Sequence, residues 1–72
     1  MVEDFPRPTP GPELAQLRKQ LGVEQKALAD RLGMHRISIR GWERSAEVDP
    51  IRAAKYRKAL HELVAEAVGG TA

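Results

Sequence analysis

The sequence predicts an all-α fold of about four helices, the last much longer than the others. Three observations predict it. Apolar residues recur at three- and four-residue spacing, as in Leu14, Leu17 and Leu21 and again in Tyr56, Leu60, Leu63, Val64 and Ala67. Glycines stand where helices should stop, at Gly22, Gly33 and Gly69-Gly70. Asp49-Pro50 combines an N-cap with a proline at the first helical position, a strong helix start.

Seventy-two residues make one small domain without room for a second core. The expected division is a flexible N-terminal arm over 1–11, a folded domain over 12–68 and a flexible tail over 69–72. There is no cysteine, and His35 and His61 are too few and too far apart for a zinc site, so no metal or other cofactor is expected. No apolar run approaches the ~20 residues needed to span a bilayer. Glu3 and Asp4 stand where a signal peptide would carry positive charge, which points to a cytoplasmic protein with no membrane partner. The chain has no nucleophile–base pair, no phosphate loop and no ligand cluster, so neither an enzyme nor a small-molecule site is expected.

The N-terminal segment holds Pro6, Pro8 and Pro10 and has little to bury besides Val2 and Phe5. Arg7 among these prolines suits either a minor-groove arm or a plain tail. The first helix runs from Pro12 to Leu21, with Glu13 at the positive end of its dipole. Arg18 falls on the same face as Leu14, Leu17 and Leu21, so it needs a partner or must reach out to water.

The second helix spans Glu24 to Leu32, with Ala27, Leu28, Ala29 and Leu32 as inward candidates. Met34 fills the corner after Gly33. The third helix starts at His35 or Arg36 and ends at Arg44. On its wheel Ile39 and Trp42 point inward, and Glu43 lies at the border of that buried arc. A half-buried glutamate and a half-buried arginine on another helix call for each other. An Arg18–Glu43 ion pair is therefore expected, two-pronged, and loss of one partner should cost about 3–5 kcal/mol if the site is well buried.

Arg36, Arg40 and Arg44 recur every four residues and form one stripe on the outward side of that helix. From Lys26 to Lys58 there are nine basic residues against four acidic, while the whole chain is only +2. Such clustering suits a phosphate-facing surface, although charge alone does not distinguish it from a solvated helical face. Gly41 also faces outward, where mid-helix glycine costs about 1 kcal/mol relative to alanine. Close approach to a nucleic-acid groove would explain it, and a tolerated surface glycine would look the same.

Ser45 to Val48 is a loop. The last helix runs from Pro50 to about Val68, nearly ~30 Å at 1.5 Å per residue. A three-helix core cannot cover that length. Its distal apolar residues, Leu60, Leu63, Val64, Ala67 and Val68, are therefore expected to pack on a second copy.

The order helix, Gly22, Gln25-x-x-Leu28-Ala29, Leu32-Gly33, helix, Trp42-Glu43-Arg44 resembles the Cro/C1-type helix-turn-helix family, also called the XRE family. The resemblance covers about Leu14 to Arg44 and, more loosely, the start of the last helix. It is carried by Leu17, Arg18, Gly22, Gln25, Leu28, Ala29, Leu32, Gly33, Ser38, Ile39, Trp42 and Glu43. The family has an Arg–Glu pair at the positions of Arg18 and Glu43.

The resemblance implies a compact helix-turn-helix domain that binds double-stranded DNA as a transcriptional regulator, Cro-like or repressor, acting as a homodimer. It places the recognition helix at about 35–44 in the major groove. Carried over by position, it makes Arg36, Ile37, Arg40 and Gly41 base-facing, and Gln25, Lys26, His35, Ser38 and Arg44 phosphate-facing. An antitoxin, a restriction controller or a helical protein-interaction module are the alternatives. Departures from the family pattern are Glu24 in place of a serine or threonine cap, His35 in place of a small hydroxyl residue, Gly41 without a side chain for readout, and one long last helix where many members have two short ones.

Overall fold

A computed structural model describes residues 7–69, and the expected ends of the arm (1–6) and tail (70–72) lie outside the described residues. Four helices follow in order: α1 (Gly11–Gln20), α2 (Gln25–Leu32), α3 (Arg36–Arg44) and α4 (Pro50–Gly69). α1 packs on α3 and α4, and α2 packs on the same two helices. Each boundary falls within a residue or two of the sequence expectation, as it does wherever capping chemistry is legible.

The first two helices end by the same device. Gly22 and Gly33 take left-handed backbone angles, with φ of 71° and 68°. The residue after each glycine donates its N–H five residues back, Val23 to the Arg18 carbonyl at 3.1 Å and Met34 to the Ala29 carbonyl at 2.9 Å. These are Schellman closures, in which glycine avoids the steric penalty of a Cβ. They turn the chain sharply twice and so set α2 and α3 as a tight corner. At α4, Asp49 Oδ1 accepts from the Ile51 and Arg52 N–H groups at 2.9 and 3.0 Å. Pro50 occupies the first position, where no N–H is needed.

The core gathers Leu14, Leu28, Ala29, Ile39, Val48, Ala53, Tyr56, Ala59 and Leu60, with Leu17, Val23, Leu32, Met34, Trp42 and Leu63 packed around it. Ala29, Ala53 and Ala59 are small, which lets α2 and α4 approach closely. Two expected core residues lie outside. Leu21 is 36% exposed, because α1 has already ended at Gln20 and the chain is turning away. Ala27 is exposed on the outer side of α2.

The N-terminal segment is not a free arm up to residue 11. Thr9 and Val48 pair in antiparallel fashion, through Thr9 N–H to Val48 C=O at 2.9 Å and Val48 N–H to Thr9 C=O at 2.7 Å. The Arg57 guanidinium donates to Thr9 Oγ1 at 2.9 Å, and Gly11 N–H reaches the Ser45 carbonyl at 2.8 Å. Prolines hold this stretch extended, and an extended chain can pair with a neighbour as readily as it can stay loose. Gly11 completes the docking. A Cβ there would lie 2.7 Å from the Ser45 carbonyl oxygen and closer still to that of Trp42. The start of α1 therefore rests directly on the backbone at the end of α3.

Leu60 also departs from expectation. It is completely buried within the single chain and is not available to a second copy. The covered part of α4 thus extends further than the helix length suggested. Leu63 and Val64 are half-buried, and Ala67 and Val68 are exposed, Val68 at 74%.

Candidate nucleic-acid interface

The two sides of α3 have opposite characters. Its inner side holds Ile39, fully buried, with Trp42 packed against the core and Glu43 only 7% exposed. Its outer side presents Arg36, Ile37, Ser38, Arg40, Gly41 and Arg44, all exposed. Ile37 is 74% exposed at the edge of the arginine stripe. An isoleucine gains nothing from water, so this position is costly unless something covers it. A Cβ built on Gly41 meets nothing within 4 Å, so internal packing does not require that glycine.

The direction of this face is set by one carboxylate. Arg18 of α1 donates from Nε to Glu43 Oε2 at 2.6 Å and from Nη2 to Oε1 at 3.2 Å. Gln25 of α2 donates from Nε2 to Oε1 at 2.8 Å. The Tyr56 hydroxyl of α4 donates to Oε2. Glu43 therefore receives donors from all three other helices. The third arginine nitrogen, Nη1, donates to the Val23 carbonyl at 2.9 Å. Among the described residues, no buried side-chain polar atom lacks a partner.

The electrostatics follow from this geometry. Burial by itself would push the Glu43 carboxyl up, but the hydrogen bonds from Arg18, Tyr56 and Gln25 and the charge of Arg18 outweigh it. The group is held below the ordinary carboxylate range. The hydrogen bond to Glu43 raises Arg18 against the opposing effect of burial. Burial and the neighbouring carboxylate push the Tyr56 hydroxyl up, so it stays a protonated donor.

Of the sequence-predicted phosphate contacts, Gln25, Lys26, His35 and Arg44 line neighbouring hollows, and Ser38 lines none of these. Gln25, Arg40 and Arg44 line a hollow between α1 and α3. Gln25, Lys26 and Arg36 line the next one, and Lys26, His35 and Arg36 a third at the corner between α2 and α3. Lys26 pairs with Asp30 at 3.1 Å, but both are well exposed and such a pair is worth at most about 1 kcal/mol. A phosphate could therefore displace it. His35 occupies the N-cap position of α3 and Glu24 that of α2, and neither makes a side-chain capping bond.

The expected partner-facing residues of α4 are not equivalent. Leu60 belongs to the core, Leu63 and Val64 are divided between core and solvent, and Ala67 and Val68 lie outside it.

Sequence reasoning missed three residues. Gln16 and Lys19 of α1 line the same hollow as Gln25, Arg40 and Arg44. Their i, i+3 spacing beside Arg18 was the available signal. Tyr56 was read as a plain member of an apolar stripe, although a buried tyrosine hydroxyl always needs a partner.

Among the described residues, no group of three His, Cys, Asp or Glu side chains is placed to hold a metal. None of their helices is long and apolar enough to cross a membrane. A family model described as helix-turn-helix matches residues 14–68. No curated protein and no solved structure matches the chain.

Proposed function

Since the chain belongs to the Cro/C1-type (XRE) helix-turn-helix family of DNA-binding transcription regulators, we propose that it reads a specific double-stranded DNA sequence with α3 in the major groove. The carrying observation is the exposed face of that helix: three arginines in line, an uncovered Ile37 beside them, and an open Gly41. Charge and apolar surface together suit a groove edge, where guanine offers two acceptors and thymine a methyl group.

The residues divide by position. Arg36 lies in the first turn of α3 and reads a base, through paired hydrogen bonds to guanine O6 and N7. Ile37 packs on a thymine methyl. Gly41 lets the helix come close, and Arg40 stands between base and backbone. Arg44, Lys26, His35, Ser38 and Gln25 hold phosphates on either side, where they fix register. Gln16 and Lys19 extend this backbone track along α1.

The active form is a homodimer that acts as a repressor in the cytoplasm. Two recognition helices one helical turn apart enter successive major grooves. The joining surface is the distal part of α4, reduced to Leu63, Val64, Ala67 and Val68 now that Leu60 is internal.

Selection of bound duplexes from a random DNA pool tests the whole reading. The expected product is a two-fold symmetric site with guanine in each half. A pool that shows no enrichment after repeated rounds would overturn sequence-specific binding, and an asymmetric single half-site would overturn the dimer.

A further inference from the structure

We propose that Tyr56 is a positioning residue for DNA recognition: through the Glu43 carboxylate it fixes the side chain of Gln25 at the DNA-facing surface. The proposal rests on the reading of that surface given above. It starts from how the two carboxylate oxygens are shared. Oε1 accepts from Arg18 Nη2 at 3.2 Å and Gln25 Nε2 at 2.8 Å. Oε2 accepts from Arg18 Nε at 2.6 Å and from the Tyr56 hydroxyl. Each oxygen thus has one arginine donor and one other donor. Gln25 and Tyr56 each add one donor to a carboxylate that Arg18 holds through both oxygens, with the longer Arg18 bond on the oxygen that Gln25 shares.

Tyr56 is fully buried and lines neither hollow, whereas Gln25 is half-buried and lines the hollows beside Arg36 on one side and Arg40 on the other. An ionised carboxylate only accepts, so the bond to Glu43 settles which end of the Gln25 amide points inward. One amide hydrogen is held by Glu43, and the second amide hydrogen and the carbonyl are aimed by that bond. Removing the tyrosine hydroxyl leaves Oε2 with Arg18 Nε as its donor and lets the carboxylate shift toward Arg18. Oε1 then moves, and Gln25 loses its fixed orientation. Phe keeps the ring volume, so the apolar packing of α4 is retained.

The test is Tyr56→Phe, read in the free protein and on DNA. In the free, folded variant the Gln25 side-chain amide resonances should shift and exchange faster with water. On the selected duplex the affinity should fall about five- to tenfold, the size of one ordering hydrogen bond. Binding to random duplex should fall by a similar factor, because Gln25 is read as a phosphate contact. In a Gln25→Ala background the same substitution should cost nothing further, because the route through Gln25 is already gone. Unmoved Gln25 resonances in folded Tyr56→Phe overturn the proposal, as does a loss that persists undiminished in Gln25→Ala. A wild-type chain that binds no duplex overturns the DNA reading instead, and the resonances then decide whether Tyr56 sets Gln25. Should the variant fail to fold, fluorotyrosine replaces it. Tyr56 is the one tyrosine of the chain, so the label is unique, and the more acidic hydroxyl should also shift the Gln25 resonances. Resonances that stay in place would overturn the coupling.

Discussion

Arg18 of α1 grips Glu43 of α3 with two nitrogens, at 2.6 and 3.2 Å, and both side chains are more than nine-tenths buried. The pair is enclosed enough that its removal cannot be compensated by water. Arg18→Ala leaves a buried carboxylate held only by Gln25 and Tyr56, and should cost about 3–5 kcal/mol of stability. Equilibrium urea unfolding gives that difference directly. Replacing both partners by apolar residues of similar volume should recover much of it, because the desolvation of two charges disappears with them. A single-mutant loss below about 1 kcal/mol would mean that the pair behaves as a surface bridge.

The same carboxylate makes stability depend on pH. Its folded value lies below the ordinary carboxylate range and its unfolded value within it. The unfolded chain therefore takes up the proton first as pH falls. The stabilisation from Glu43 is complete above the unfolded value and is lost as pH drops through the folded one. Unfolding free energies measured from neutral pH down to about pH 3 should hold level until the ordinary carboxylate range is reached and fall below it in the wild type. Glu43→Gln should start less stable and show a flatter acid slope. An identical slope in both proteins would assign the acid sensitivity to other carboxylates.

Two glycines should respond in opposite directions. Gly11 has no space for a Cβ, since the carbonyls of Trp42 and Ser45 stand against it. Gly11→Ala forces α1 off the end of α3 and should cost about 1–3 kcal/mol. In a domain of this size that lowers the melting temperature by roughly 4–8 °C per kcal/mol. Gly41 meets nothing, so Gly41→Ala should gain up to about 1 kcal/mol from helix propensity. If α3 lies close against a groove floor, the same methyl group should weaken binding to the selected duplex. A gain in stability with no change in affinity would leave Gly41 as an ordinary surface position.

How much of this was legible in the sequence depends on the range of the signal. Helix ends were readable because Gly22, Gly33 and Asp49-Pro50 act on their immediate neighbours. The opposition of Trp42 to Arg40 and Arg44 was readable because one helix wheel contains it, and the same wheel put Glu43 at the border of the buried arc. Arg18 and Glu43 pointed to each other because each was misplaced on its own wheel. What could not be read required knowing which surfaces meet. Thr9 and Val48 are 39 positions apart and pair through backbone groups that every residue carries. Leu60 lies on the same α4 stripe as Leu63 and Ala67, and only the tertiary packing decides which of them is covered. Tyr56 offered a hydroxyl without an address, and the Gln25 amide could have turned to either side.

The outward arginines should separate by what they touch. On the proposed reading Arg36, in the first turn of α3, enters the groove deepest; Arg44, in the last turn, lines the hollow that α1 completes. A base contact distinguishes sequences and a phosphate contact does not. Arg36→Ala should therefore lose about 1–3 kcal/mol on the selected duplex, relax preference at one position, and leave random duplex almost unaffected. Arg44→Ala should weaken both by a similar factor and reduce the slope of log affinity against log salt by about one, the counterion equivalent of a single phosphate contact. Both variants should stay as stable as the wild type, because both side chains are exposed. Titrations of the two duplexes at several salt concentrations distinguish these outcomes. Equal losses from Arg36→Ala on both duplexes would move that residue to the backbone and leave Ile37 and Arg40 as the readers.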